Sequence, residues 1–322
     1  MVWHGIRASC LPLPQQVAAA TAIGARAALT PFTKRGNHGG DDCDARGPAG
    51  RLVKTLLVCH HDDALDRIGI ARWLASFSEL VGVVEIREPR QRLQRRIQRE
   101  LRRVGLVRFL DVLAYRAYER LMLARGDHAW RAGALEHLCA AYSPLQPGTP
   151  VLATPSPNTP EVAAFIRRSG PDIMVARCKS ILKREIFALP NRGTFVLHPG
   201  ICPEYRNAHG CFWALANDDL HKVGATLLRV DEGVDTGPVY GYFGYAYDEV
   251  AESPYVIQSR VVLENLDAIR QVLVDVAGGR AVALDASSRR SAVWGQPWLT
   301  KYLRWKYRAW RRRRESAYAA IS

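Results

Sequence analysis

Residues 194–240 read TFVLHPGICPEYRNAHGCFWALANDDLHKVGATLLRVDEGVDTGPVY. The stretch opens on a short apolar run that ends in His198. A turn-forming segment follows, marked by Pro199, Gly200 and Pro203. The aromatic run FWALAN then predicts a helix, and VGATLLRV at 223–230 predicts a strand that runs into the acidic loop DEGVDTG. Strand, helix and strand in this order point to an α/β protein with a parallel sheet. The order also lets His198 and Asp235 meet from distant parts of the chain. A His/Asp pair at strand ends suits proton transfer beside a carbonyl.

The flanks continue the alternation. Upstream, PDIMVAR predicts a strand at 173–176, and Thr159 with Pro160 predicts a helix start with Val162, Phe165 and Ile166 turned inward. PVLATPSP at 150–157 predicts a short strand. Leu93, Ile97, Leu101, Val104 and Phe109 recur at helical spacing among arginines, so residues from about 90 to 140 read as an inserted amphipathic helix pair. Before it, LVKTLLVC from Leu52 and VGVVEI from Val81 predict strands on either side of a helix through Ile70, Trp73, Leu74 and Phe77. The expected fold class is α/β, a Rossmann-like open, mostly parallel sheet with helices on both faces. The core domain is placed at 52–250. Residues 251–322 read as a basic helical extension, with one helix from Pro254 to Ala277 burying Val256, Val261, Leu266, Ile269 and Leu273. Residues 1–51 lack any sustained period and read as a disordered tail. In open sheets of this kind ligands gather at the carboxyl ends of the strands, where both His198 and Asp235 are expected.

The formal net charge is +14, from 45 Lys and Arg against 31 Asp and Glu. It concentrates in 87–125 and in 289–314, and the second block contains no acidic residue. In that block Trp298, Tyr302, Trp305, Tyr307 and Trp310 alternate with cations. A helix through Leu299, Tyr302, Leu303, Lys306 and Trp310 would press one aromatic face onto the domain or into an interface. Its Arg-rich remainder would make weak contact with an anionic membrane or polyanion, with no specific nucleic acid indicated. No run of eighteen apolar residues exists and the N-terminus makes a poor secretory signal, so a cytoplasmic location is expected. The seven cysteines form no C-x-x-C pair, which fits reduced thiols. Without G-x-G-x-x-G or a P-loop, a nucleotide cofactor has no support.

Residues 54–247 resemble the 10-formyltetrahydrofolate-dependent formyltransferases, the family of glycinamide-ribonucleotide, methionyl-tRNA and amino-sugar N-formyltransferases. VLHPG at 196–200, ICPEYRNAHG at 201–210 and DEGVDTGP at 231–238 match the family pattern in order and spacing. The segment PDIMVARCKSILKREIF resembles the one that lines the folate pocket. The resemblance implies 10-formyltetrahydrofolate as formyl donor and a primary amine as acceptor. It implies that His198 polarises the formyl oxygen and that Asp235 tunes His198 and helps remove the amine proton. Main-chain groups at Ser180, Ile181 and Leu182, and at Val230, Asp231, Gly233 and Val234, would hold the pterin ring. Gly233 and Gly237 would supply positive φ or close approach to a ligand. Tyr205, Arg206, Asn207 and His209 would face the acceptor, while Phe212 and Trp213 read as core. One departure stands out: the family's catalytic asparagine falls on Val196, which cannot donate a hydrogen bond. A donor from Asn207, His209 or a backbone N–H, a slower enzyme, and a domain that no longer formylates all stay open. So do a hydrolase that releases formate from the same donor and a non-catalytic binding protein on the same fold. The short helical end does not resemble the β barrel of methionyl-tRNA formyltransferases, so a small-molecule, sugar-nucleotide or carrier-bound amine is the expected acceptor. The run HHDD at 60–63 resembles zinc-dependent de-N-acetylases, but Ala64 stands where their glutamate follows. No metal is therefore expected, and the run is read as a loop at the mouth of the site.

Overall fold

The computed structural model describes residues 52–88 and 91–319, so the tail expected over 1–51 lies outside the described residues. Strands are β1 (Lys54–His60), β2 (Glu79–Ile86), β3 (Val151–Thr154), β4 (Ile173–Arg177), β5 (Gly193–His198), β6 (Arg206–Asn207), β7 (Ala225–Arg229), β8 (Val239–Phe243) and β9 (Val293–Trp294). Seven of them form one sheet in the order β3-β2-β1-β4-β5-β7-β8. β1 to β5 pair in parallel, whereas β7 and β8 are antiparallel. The strand order reverses between β1 and β4, the crevice where open sheets take ligands. The apolar core of β1 is buried on both faces, as a central parallel strand requires.

Period-2 alternation divides the core. Leu57, Val175, Phe195 and Leu227 point to one face; Leu56, Val58, Val84 and Met174 point to the other. The second face is covered by α4 (Pro160–Ser169) and α5 (Arg184–Phe187). The first lies under α1 (Ala71–Ala75), α3 (Ala124–Ala141), α6 (Gly210–Ala216), α7 (Pro254–Leu263), α8 (Leu266–Ala277) and α9 (Leu299–Ala319). The cap expected at Thr159 is present, its side chain accepting from Val162 N, and Gly170 ends α4 in the left-handed region. The inserted helices are α2 (Gln91–Tyr118), broken at Gly105, and α3, joined through a π-turn at Glu119–Leu123. The single helix expected over 254–277 is two. Asn265 turns its side-chain amide onto the carbonyls of Val261 and Gly244, an alternative to the helical ladder that ends the first helix.

Two expectations are corrected here. β7 runs antiparallel to β5, with His198 opposite Thr226 and Phe195 opposite Arg229. Its carboxyl end therefore lies beside the amino end of β5, away from His198, and Asp235 belongs to the β7–β8 hairpin loop. In α9 the buried stripe is Tyr302, Trp305 and Ala309, while Leu303 and Trp310 are exposed. Polar anchors decide that rotation. Lys306 Nζ donates to the carbonyls of Glu249, Val250 and Glu252, and Trp305 Nε1 donates to Glu249. Arg312 pairs with Asp218 and Glu249, and Arg313 with Asp248, so part of the basic block is neutralised within the chain. Among the described residues no helix is long and apolar enough to cross a membrane.

Candidate active site

β5 carries Val196 and His198 on one face of the sheet, two residues apart. His198 is 5% exposed. Its Nε2 lies 2.8 Å from the carbonyl oxygen of Tyr205. A carbonyl only accepts, so Nε2 carries the hydrogen and the ring orientation is set by the 201–205 turn. Gly200 and Gly210 make that turn possible: a Cβ on either would come within 3 Å of the Tyr205 carbonyl, and a Cβ on Gly210 would sit 2.5 Å from Gly200 Cα. Nδ1 is left facing Asp235, whose Oδ2 is 3.5 Å away.

The hairpin loop folds back over the sheet to deliver that carboxylate. Asp231 Oδ1 accepts from Gly233 N at 3.0 Å and from Thr236 Oγ1 at 2.7 Å. Arg206 Nη1 donates to Val234 O, and Asn207 N donates to Asp235 Oδ2 at 2.7 Å. Gly237 is needed because a Cβ there would meet the Arg229 carbonyl at 1.8 Å. The close approach is thus to the chain's own backbone, and neither Gly233 nor Gly237 has positive φ. Four described non-glycine residues adopt left-handed φ, and three of them, Asn207, His209 and Asp235, lie here. Such strain gathers at functional sites, held by surrounding contacts. A groove of about 370 Å³ opens at Asp235 between Cys202, Thr236, Ser287 and Ser291.

Ser180, Ile181 and Leu182 form the turn after β4, with Leu182 buried and Ile181 exposed. Asn158 pins this turn, its amide donating to Ile181 O and accepting from Lys183 N, both at 2.8 Å. Arg184, just beyond, pairs with Glu232 of the hairpin loop at 2.9 Å, so the turn and the loop holding Val230, Asp231, Gly233 and Val234 stand together. Val196 packs between the Leu182 cluster and the Cys202, Leu228 and Val239 cluster.

The four residues expected at the acceptor separate. Tyr205 turns its side chain away: its hydroxyl donates to Asp219 at 2.9 Å and its ring stacks on Trp294 at 5.6 Å. Its share in the site is its carbonyl. Arg206 and Asn207 hold the hairpin loop as above, and the Asn207 amide donates to Trp294 O. His209 is half-buried at the start of α6 and hydrogen-bonds Gln296, which also accepts from Arg116 of α2 at 2.7 Å. Phe212 and Trp213 are core, as expected.

Residues 132–243 match the model of the formyl transferase family. Over these residues the chain is similar to that family. It is 36% identical to the methionyl-tRNA formyltransferase of Sorangium cellulosum over 129 residues, which are 38% of this chain and 41% of that protein. To the methionyl-tRNA formyltransferase of Myxococcus xanthus it is 35% identical over 114 residues, 34% of this chain and 36% of that one. The chain thus spans about two fifths of the length of these curated relatives. Among solved structures, a 4-N formyltransferase from Francisella tularensis aligns with a TM-score of 0.47 at 11% identity, over 81% of this chain and 88% of that one. The family match begins beyond α2, while β1 and β2 complete the same sheet upstream.

Several partners of the matched segment carry no local signal in the sequence. Residues 289–298 clamp the 203–207 turn. Arg289 pairs with Glu204, Trp294 Nε1 donates to Glu204 O, and β9 pairs with β6. At the β1–β4 crevice Arg177 Nε donates to the buried Asp66 at 2.9 Å and Nη1 donates to Leu197 O at 2.8 Å. In the HHDD run, His60 Nε2 accepts from Lys179 N, His61 sits 2.6 Å from Glu85, and Asp63 pairs with Arg131. Among the described residues no group of three His, Cys, Asp or Glu is arranged to hold a metal ion.

Burial, together with the charges of Lys179 and Arg116, pushes the His209 pKa down to about 4. The folded value lies below the ordinary 6.5, so on acidification the unfolded chain takes up the proton first. The contribution of His209 to stability is present above pH 6.5 and is lost as pH falls toward about 4. Urea midpoints between those values should fall in the native chain and fall less in His209→Gln; equal slopes would remove His209 as the cause.

Proposed function

We propose that this chain moves a formyl group from 10-formyltetrahydrofolate to a primary amine of a small-molecule or sugar-type acceptor. The observation that carries the reading is His198, locked through Nε2 on the Tyr205 carbonyl and presenting Nδ1 toward Asp235. The donor's pterin ring would lie between the 180–182 turn and the 230–234 loop. Their Arg184–Glu232 bridge and the apolar floor at Leu182 and Val196 suit a flat heterocycle with polar edges.

In the reactive form Nδ1 carries a proton, balanced by Asp235. As the amine nitrogen attacks the formyl carbon, the carbonyl π pair moves to oxygen, and Nδ1–H donates to that oxygen. When the intermediate collapses, the bond from the formyl carbon to the folate N10 breaks. The proton shed by the amine passes to N10, relayed by Asp235 directly or through water. The products are the N-formyl amine and tetrahydrofolate. Lys179 and Arg116 give the His209 side a positive field that suits an acceptor bearing phosphate or carboxylate.

Val196 leaves this oxyanion site one donor short. The Asn207 amide is engaged with Trp294 O and His209 with Gln296, so neither side chain is poised to replace it. Losing one such donor typically costs about 10²–10³ in rate. Val196→Asn is therefore expected to raise kcat by at least about tenfold, and to lower stability by about 1–3 kcal/mol because the amide enters an apolar contact. Single-turnover formyl transfer by the folded variant is the check; an unchanged or lower rate would show that the missing donor is supplied elsewhere.

The acceptor test uses the full chain with 10-formyltetrahydrofolate, offering amino-sugar nucleotides and methionyl-tRNA in parallel, with products identified by mass spectrometry. Formylated amino sugar is the expected product. Transfer to methionyl-tRNA alone, the substrate named for the curated relatives, would overturn the acceptor assignment. Formate as the sole product would establish a hydrolase, and folate binding without turnover would establish a binding protein.

A further inference from the structure

Away from the reaction site, α2 beyond Gly105 exposes Leu106, Val107 and Leu110 (66%, 82% and 57%), with Leu113 continuing the same tract. Leu121 and Met122 extend it into the π-turn. Beside it, α9 exposes Leu303, Tyr307 and Trp310 at spacing i, i+4 and i+7, one face of a helix. The two helices are joined: Thr300 N donates to Asp111 Oδ1 at 3.0 Å, which occupies the carboxylate of the groove between them. That groove, about 490 Å³, has walls of Val107, Leu110 and Trp298 and a rim of Arg108, Lys301 and Arg304. Arg108 lies 5.3 Å over Trp298, and Arg314 lies 4.7 Å over Trp310.

We propose that the α2–α9 face docks this chain on an anionic lipid surface. The exposed leucines and valine call for an apolar environment, and the interleaved guanidiniums call for anions. A bilayer with acidic headgroups supplies both at a depth of a few ångströms. Tyr307 and Trp310 suit the headgroup level, where amphipathic rings collect. A nucleic acid would satisfy the arginines and leave the leucines in water. No described helix can span a bilayer, so the contact is interfacial. The docking surface is this two-helix face and not the arginine run at the end of α9, because Arg312 and Arg313 are already paired with Asp218, Glu249 and Asp248.

The test is flotation of the full chain with vesicles of phosphatidylcholine alone or mixed with phosphatidylglycerol. Salt at about 0.1 M and about 1 M shrinks the Debye length from about 10 Å to about 3 Å. Partitioning onto the mixed vesicles should exceed that onto phosphatidylcholine by at least about tenfold and weaken at high salt. Leu106→Ser with Leu110→Ser, and separately Arg108→Glu with Arg304→Glu, should each lower it by about tenfold or more. Val107→Ser, the most exposed single change, should lower it severalfold should the paired variants fail to fold. Equal binding to both lipids, no binding at low salt, or binding retained in all the variants would overturn the proposal. So would RNA binding that survives the leucine changes and displaces vesicles, which would mark a polyanion groove. A dimer in vesicle-free solution that dissolves in the leucine variant would equally overturn it, in favour of self-association.

Discussion

His198→Ala is expected to lower the rate of formyl transfer by about 10²–10⁴-fold. On the proposed mechanism the change removes the donor to the developing oxyanion and the group through which Asp235 acts. It also leaves the Tyr205 carbonyl without its partner in a buried position, which costs about 1–3 kcal/mol. Rates must therefore be compared at a temperature where unfolding curves show the variant fully native. Asp235→Asn separates the two effects. Asparagine keeps an oxygen for the Asn207 N–H but removes the charge beside Nδ1, so stability should change little while kcat falls within the same range. The loss should appear in kcat and in kcat/KM alike, as the proposed transition-state role of both groups requires. Near-native turnover in either folded variant would remove the pair from the chemistry.

Arg177→Met should produce the largest loss of stability, about 3–5 kcal/mol by urea unfolding. Asp66 is buried, and without the guanidinium its carboxylate has lost its charge partner. Burial pushes the Asp66 pKa up, and Arg177 opposes that rise. Removing the arginine raises the carboxyl further above its unfolded value. The native state of the variant then binds more protons than its unfolded state, so the deficit should narrow on going from about pH 7.5 to about pH 5. A deficit that widens on acidification would contradict this. Leu197 O also loses its donor one residue before His198, so formyl transfer should weaken as well. Asp66→Leu added to Arg177→Met should restore most of the stability, since replacing both members of a buried pair is often close to neutral. It should not restore the rate, because Leu197 O stays without its donor.

The local elements were legible because periodicity is a local property. The apolar run of β1, the alternation that buries Phe195 and Leu197 on one side, and the Thr159 cap with Pro160 each report a nearby environment through spacing alone. The order of VLHPG, PEYRNAHG and DEGVDTG is enough to bring His198 and Asp235 together. Less was legible where two patterns fit one segment. On α9, stripes through Leu303, Tyr307 and Trp310 or through Tyr302, Trp305 and Ala309 each carry two aromatics, and the choice fell to Lys306 and Trp305 finding partners in 249–252. Tyr205 shows the same limit: an aromatic in a loop could face ligand or core, and Trp294, far along the chain, supplied the stacking surface.

The amino-acid sequence by itself determined the α/β class, the inserted helices and the His198–Asp235 pair, because hydrophobic period and motif order are written in neighbouring residues. Only the tertiary structure decided that β7 runs antiparallel to β5, so that Asp235 reaches His198 by a hairpin loop folded back across the sheet. It alone set which nitrogen of His198 faces Asp235, through the Tyr205 carbonyl, and joined Arg177 to Asp66 and Leu197. These are hydrogen bonds and ion pairs between groups whose approach depends on how every intervening element packs. No spacing within the chain encodes that distance.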